Sequence, residues 1–365
     1  MDKKITNLFL ILTLMGIQSC KSDFYTTKDF NTVQKVDAHF HYYTEDNVIS
    51  LQAKLDKFYL IDINYDPNEN TKGNDSAILR MENRSLIQKR QFPEQFDYLT
   101  TFTLVNWDSA NWAEKTIRKL STSFKNGAIG VKLWKNIGMS YRDESGNFIM
   151  VDNPRFDPVL NYIIEQNKAV LAHVGEPKNC WLPMDKITTK GDSEYFANNP
   201  DFYMFLHPDY PSYQQQMDAR DRLVKKFPKL RFIGAHLGSM EWSVDELAKR
   251  LDEYTNMAVD VSSRLAHLQY QSIIDYKKVR DFMIKYQDQL IYGSDEGFES
   301  NENPVEFIKK LHDVWLEQWR YFVTDDKMTS PQIKGEYKGL KLPKSVVDKI
   351  YLSNAIKWYK IPVKI

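Results

Sequence analysis

The sequence predicts an α/β chain folded as a (β/α)8 TIM barrel, and three observations carry that reading. Eight short β-rich runs follow one another from Val33 to Tyr292, amphipathic helical patterns separate them, and the length of 365 residues suits one large barrel. The runs are Val33–Ala38, Phe58–Ile63, Tyr98–Val105, Ala128–Leu133, Ala169–His173, Arg231–Ala235, Met257–Val261 and Leu290–Tyr292. The clearest helices are Trp112–Lys125, Phe156–Gln166, Tyr213–Lys226 and Ser243–Tyr254. In the last of these, Leu247 and Leu251 share an apolar face opposite a charged one. A doubly wound open sheet is the alternative, disfavoured because no Gly-x-Gly-x-x-Gly turn follows the first run. Residues 175–212 are too long for a simple connection and predict a loop over the barrel mouth after strand five. Residues 301–345 predict a C-terminal helical extension ending in a Gly/Pro/Lys stretch. No repeat or linker divides residues 21–365, which read as one domain.

The first twenty residues are of another kind. Asp2-Lys3-Lys4 precedes a mostly apolar stretch from Ile5 to Ile17, then Gln18-Ser19-Cys20. The stretch is short for a permanent membrane span and reads as a signal peptide over residues 1–20. Ser19-Cys20 resembles the lipobox of bacterial lipoproteins, which implies lipidation of Cys20, export, and membrane anchoring at the cell envelope, in the periplasm or outer membrane. One further cysteine, Cys180, leaves no disulfide framework in the mature chain, and it reads as a passive thiol beside Trp181. Charge is balanced, 49 basic against 49 acidic residues, which speaks against nucleic-acid binding. The hydrophobic share of 42%, with 13% aromatics, is ample for a large core. Assembly into a homo-oligomer stays open.

The chemistry lies at the ends of the predicted strands. His39 and His41, two residues apart, share one face of a strand, and paired imidazoles suit a borderline metal such as zinc. Lys132 follows Ile129 and Val131 on a buried-looking run, so its charge needs a partner. Runs five, six and eight end in His173, His236 and Asp295. The C-terminal ends of barrel strands converge on one mouth, so residues far apart in sequence can meet there. Three histidines and a carboxylate make a plausible shell for one divalent metal that activates water. Asp295 could take the proton, and His236 could polarise the substrate or carry a proton. Trp134 lies two residues beyond Lys132, hence on the same face. His207, in the long loop, and Arg264, after strand seven, are further candidates for contact with a small-molecule substrate.

The order His-x-His, Lys, His, His, Asp resembles the amidohydrolase superfamily. Gly-Val-Lys132-Leu, Ala-His173-Val-Gly-Glu-Pro, Phe-Ile-Gly-Ala-His236-Leu-Gly, Tyr-Gly-Ser-Asp295 and the closing Lys349-Ile-Tyr-Leu-Ser-Asn354-Ala355 resemble its amidohydrolase-related (amidohydrolase 2) branch of metal-dependent hydrolases and decarboxylases. The resemblance implies His39, His41, His173 and Asp295 as ligands of one divalent metal, zinc, with His236 as the catalytic histidine. Lys132 stands where binuclear relatives carry a carboxylated lysine, which would bring a second metal. The expected activity is metal-dependent hydrolysis of an amide, ester or lactone carbonyl. The alternative is non-oxidative decarboxylation of the aminocarboxymuconate semialdehyde decarboxylase type. A non-catalytic binding protein is disfavoured, since binding alone needs no water-activating shell.

Overall fold

The computed structural model describes residues 22–64, 74–298 and 301–361. The signal segment 1–20 and Cys20 lie outside the described residues. Nine strands form one curled, all-parallel sheet: β1 (Lys35–Tyr42), β2 (Phe58–Ile63), β3 (Phe96–Thr100), β4 (Gly130–Leu133), β5 (Ala169–Ala172), β6 (Arg231–Gly234), β7 (Met257–Asp260), β8 (Leu290–Ile291) and β9 (Gly297–Phe298). The predicted strand β2 and the helices Trp112–Lys125 and Tyr213–Lys226 fall where the sequence places them. No helix among the described residues is long and apolar enough to cross a membrane.

The sheet order runs β8-β7-β6-β5-β4-β3-β2-β1-β9, so β8 and β9 lie at opposite ends of it. Yet only residues 292–296 separate them in the chain. Flat, the two edges would stand roughly 38 Å apart at the usual strand spacing, and so short a segment reaches roughly 20 Å at most. The sheet therefore has to curl. Backbone hydrogen bonds join the edges around β1: Ala38 N–H to Tyr292 O (3.0 Å), Asp295 N–H to His39 O (2.8 Å) and His41 N–H to Glu296 O (2.9 Å). Gly293 permits this approach, because a Cβ there would sit 2.7 Å from that of His39. The architecture is that of a TIM-barrel-like α/β fold.

Alternation along the strands splits the apolar residues into two cores. Tyr59, Ile61, Ala169, Leu171, Ile233 and Ile291 point inward, where Trp358 and Tyr359 of the last helix close one end. Phe58, Leu60, Val170, Phe232 and Leu290 point outward against the helices. β1 breaks the alternation. Val36 and Ala38 belong to the inner core and Phe40 and Tyr42 to the outer one, and the pairing with β2 shifts register between Asp37 and Phe40. That irregularity turns the strand by one residue, so His39 and His41 face inward. A regular strand with Val36 and Ala38 inside would have turned both histidines to the helical layer.

The chain after β9 supplies the predicted extension. A helix spans Pro304–Val323, capped by the Asn303 side chain at its N-terminus. An antiparallel ribbon of β10 (Lys327–Thr329) and β11 (Glu336–Lys338) follows. The segment 175–212 folds into short 3-10 turns and a helix over Lys190–Asn198.

Candidate metal centre and active site

The ends of β1, β4 and β5 and the tight turns after β6 and β8 bring the predicted residues together. His39, His41, Tyr43, Lys132, Trp134, Lys135, His173, His236, Asp295 and Gly297 line one cavity of about 280 Å³. It adjoins a larger cleft of about 1170 Å³, which shares His173, His236 and Asp295 and extends past Arg264 to the Pro304–Val323 helix and the ribbon. Among the described residues, the ligand atoms of His39, His41 and Asp295 lie within 4.8 Å of one another. Asp295 Oδ1 is 3.2 Å from His39 Nε2 and 3.1 Å from His41 Nε2. Its Oδ2 accepts a hydrogen bond from Ser263 Oγ at 2.5 Å.

His173 does not join that compact trio. It lines the same cavity, its ring 4.3 Å from that of His236. Its Nε2 is buried without a hydrogen-bond partner, the nearest carboxylate oxygen being Glu176 Oε2 at 3.7 Å. A buried imidazole nitrogen left unpaired is costly unless something outside the chain takes its lone pair or proton. Three imidazoles and a carboxylate around one cavity fit a divalent metal.

Charge in the site follows from burial and its partners. Burial alone would raise Asp295, while its contacts with His41 Nε2 at 3.1 Å and with the Ser263 hydroxyl at 2.5 Å favour its ionised form. Burial lowers His39, His173 and His236, the second to about 4, which keeps the imidazoles neutral and able to ligate. Burial also pulls the Lys132 ammonium down to about 8, against the attraction of Asp295 and Asp260. Lys132 Nζ lies 3.3 Å from His39 Nε2.

His236 is aimed by strained backbone. His236, Leu237, Gly238 and Ser239 all have positive φ, between 57° and 61°. For a bulky residue such as Leu237 this is a costly conformation that only its surroundings can impose. Asp260 supplies part of that constraint, its Oδ1 accepting the His236 backbone N–H at 2.7 Å.

The other candidates divide. Trp134 lines the small cavity and donates its indole N–H to Thr101 Oγ. Arg264 lines the larger cleft, with Nη2 3.7 Å from Glu176 Oε2 and a buried Nε that has no partner. His207 stands apart. Its Nε2 bonds Pro200 O at 3.0 Å, its ring packs on Tyr210, and it lines neither cavity, contacts that tie the loop to itself. Cys180 is buried, as expected of a passive thiol.

Three residues escaped the sequence reading. Asp260, fully buried at the end of β7, bonds His39 Nδ1 at 2.8 Å. Glu176 is buried against Lys135 and stands beside Arg264 and His173. Ser262 touches both His39 and His236. A signal existed for Asp260: an acid in the apolar run Met257-Ala-Val-Asp260 needs a buried partner.

Comparison with known proteins bears on the family and the fold. The family model for amidohydrolases matches residues 98–361, which leaves His39 and His41 to be supplied by the fold. No curated protein sequence matches the chain. Among solved structures, 2,6-dihydroxybenzoate decarboxylase from Rhizobium is similar at TM-score 0.53 and 15% identity, covering 90% of this chain and 99% of that one. The 5-carboxyvanillate decarboxylase from Novosphingobium aromaticivorans, complexed with manganese, is similar at TM-score 0.50 and 11% identity, covering 93% and 99%. The match over residues 98–361, carried by a curled parallel sheet of the same kind, makes this chain a member of the amidohydrolase family.

Proposed function

We propose that the protein is a metal-dependent hydrolase in which His39, His41, His173 and Asp295 hold one divalent metal at the mouth of a (β/α)8 barrel. The observation that carries the reading is the convergence of these four groups on one cavity, with His173 Nε2 buried and unpartnered. When bound, such a metal lowers the pKa of water toward neutrality and polarises a carbonyl oxygen. Zinc suits the donor set, and manganese is the alternative suggested by the 5-carboxyvanillate decarboxylase structure.

The chain's own residues would do the rest. Asp260 fixes the ring of His39 from behind. Asp295, ionised and at the cavity, can accept a proton from water, and His236, which lines the same cavity, can pass one to the leaving group. Lys132 offers its ammonium to a developing negative charge, and Arg264 stands in the adjoining cleft to take an anionic part of the substrate. The substrate class is a small molecule with an amide, ester or lactone carbonyl. Anchoring of an exported lipoprotein through Cys20 belongs to the same proposal; Cys20→Ala should then release the protein from the membrane fraction.

A second reading, non-oxidative decarboxylation, is at least as well supported by the comparisons, since both similar structures named above are decarboxylases aligned over nearly their whole length. Here His236 would deliver the proton that replaces the lost carboxyl group. The metal-loaded protein assayed against lactone, ester, amide and aromatic-acid panels separates the two. Hydrolytic products support the first reading, and carbon dioxide release without hydrolysis replaces it with the second. A metal content near one per chain is expected; a value of two would make Lys132 a bridging carbamate.

A further inference from the structure

We propose that Ser262, acting with Asp260, is a positioning residue that locks His39 and His236 together in the Nδ1–H tautomer, leaving Nε2 of each ring as the lone-pair nitrogen. The inference deepens the proposed function, because it rests on His39 and His236 belonging to the working site.

Donor and acceptor counting at the two Nδ1 atoms carries the argument; on the far side of the His39 ring, Nε2 has Asp295 Oδ1 at 3.2 Å and the Lys132 ammonium, a donor, at 3.3 Å. Asp260 is an acceptor: the backbone N–H groups of His236 and Ser262 both point at its Oδ1, at 2.7 and 3.2 Å. Its Oδ2 faces His39 Nδ1 at 2.8 Å, so that nitrogen carries the proton. Its Oδ1 takes the Ser262 hydroxyl proton at 2.5 Å and the His236 backbone N–H at 2.7 Å. Ser262 has one hydroxyl proton, and Asp260 has it. What Ser262 Oγ presents elsewhere is lone pairs, 3.0 Å from His39 Nδ1 and 3.0 Å from His236 Nδ1. His236 Nδ1 also faces the Ser262 carbonyl oxygen at 3.1 Å, another pure acceptor. Both Nδ1 atoms must therefore donate, since the opposite tautomer would set lone pair against lone pair in a fully buried place.

The consequence differs for the two rings. For His39 the lock frees Nε2 to ligate. For His236 it means that the neutral ring accepts a proton at Nε2 before it can give one there. One serine thus couples the ring that would hold the metal to the ring that would move the proton, and no other described side chain contacts Nδ1 of both.

The test reads hydrogen positions directly. Protein labelled with 15N at its seven histidines is examined by long-range proton–nitrogen correlation, zinc-loaded and after chelation. The expected result is a protonated Nδ1 and an unprotonated Nε2 on both His39 and His236 in each state. A protonated Nε2 on His236 in either state, or on His39 after chelation, would overturn the proposal. Ser262→Ala should move the Nδ1 resonances of both rings, and Ser262→Thr should restore them; if Ser262→Ala leaves His236 unmoved, the serine has no shared role. Asp260→Asn should weaken zinc binding about ten- to hundredfold through His39. None of these readouts needs a substrate, so failure to find turnover would count against the proposed function and leave the tautomer lock standing.

Discussion

Two buried lysines, Lys35 at the start of β1 and Lys132 near the end of β4, show what separates structural burial from a working site. Both are almost wholly hidden, at 0% and 2% exposure. Burial pulls both ammonium groups below the usual lysine range, to about 7 and about 8. Their partners differ. Lys35 Nζ donates to the carbonyl oxygens of Phe30 and Val33 and sits against the rings of Phe30, Phe58 and Trp319, at 4.4, 4.7 and 5.5 Å from their centroids. Every direction around it is filled by the protein. Lys132 Nζ has His39 Nε2 at 3.3 Å and lines the small cavity. That nitrogen is the one a metal would take, so a metal on His39 leaves the ammonium facing the cavity and whatever anion enters it. The first lysine completes a wall, and the second is held ready for something that is not protein.

The largest expected effect removes what Lys132 waits beside. His39→Ala combined with His41→Ala should leave far-UV circular dichroism near that of the parent, abolish retained metal after dialysis, and lower turnover a thousandfold or more, about 4 kcal/mol of barrier. Retention of metal by the double variant would sink the assignment of these histidines. Next in size is Lys132→Met, which should cost a hundredfold or more in activity, the range seen when one preorganised charge donor is lost. Stability should stay within ~1 kcal/mol of the parent or rise, because the substitution relieves a buried charge. A clear drop in the denaturation midpoint with activity intact would reverse the contrast and make Lys132 the structural lysine.

The contrast also marks how far the sequence could be read. His39, His41, Lys132, His173, His236 and Asp295 were found because each stands at the end of an apolar run, where a polar side chain has no packing reason to be. Their meeting follows from topology alone, and the structure gathers all six around one cavity. The inward turn of His39 and His41 was not legible. It depends on the register shift between Asp37 and Phe40, a local irregularity without a residue signature. Asp260 left a signal as an acid in an apolar run, but the partner it needs was not legible, and Ser262 left none: which atoms each faces across the sheet is something periodicity carries no information on. Lys35 was missed because it begins a strand next to Gln34 and looks like an ordinary strand-edge lysine. Its burial comes from the Pro304–Val323 helix, whose Trp319 closes over it some 280 residues later.

The smallest effect falls on Lys35 itself and sharpens the comparison through pH. Lys35→Met removes the donor to two carbonyl oxygens in a buried place, a cost of about 1–3 kcal/mol, with no metal or substrate involved. The folded-state pKa is lowered to about 7 from the model-peptide value of 10.5. The unfolded chain therefore binds the proton first as pH falls, so the stability contributed by the parent lysine is full above pH 10.5, declines as pH falls from there toward about 7, and levels off below it. Methionine has no such dependence. The gap in denaturation midpoint between parent and variant should accordingly be widest above pH 10.5, narrow as pH falls toward about 7, and stop changing below that. If the gap widened on acidification instead, the cation itself would be what the carbonyls and rings stabilise, and Lys35 would be a fully compensated charge whose burial costs the fold nothing.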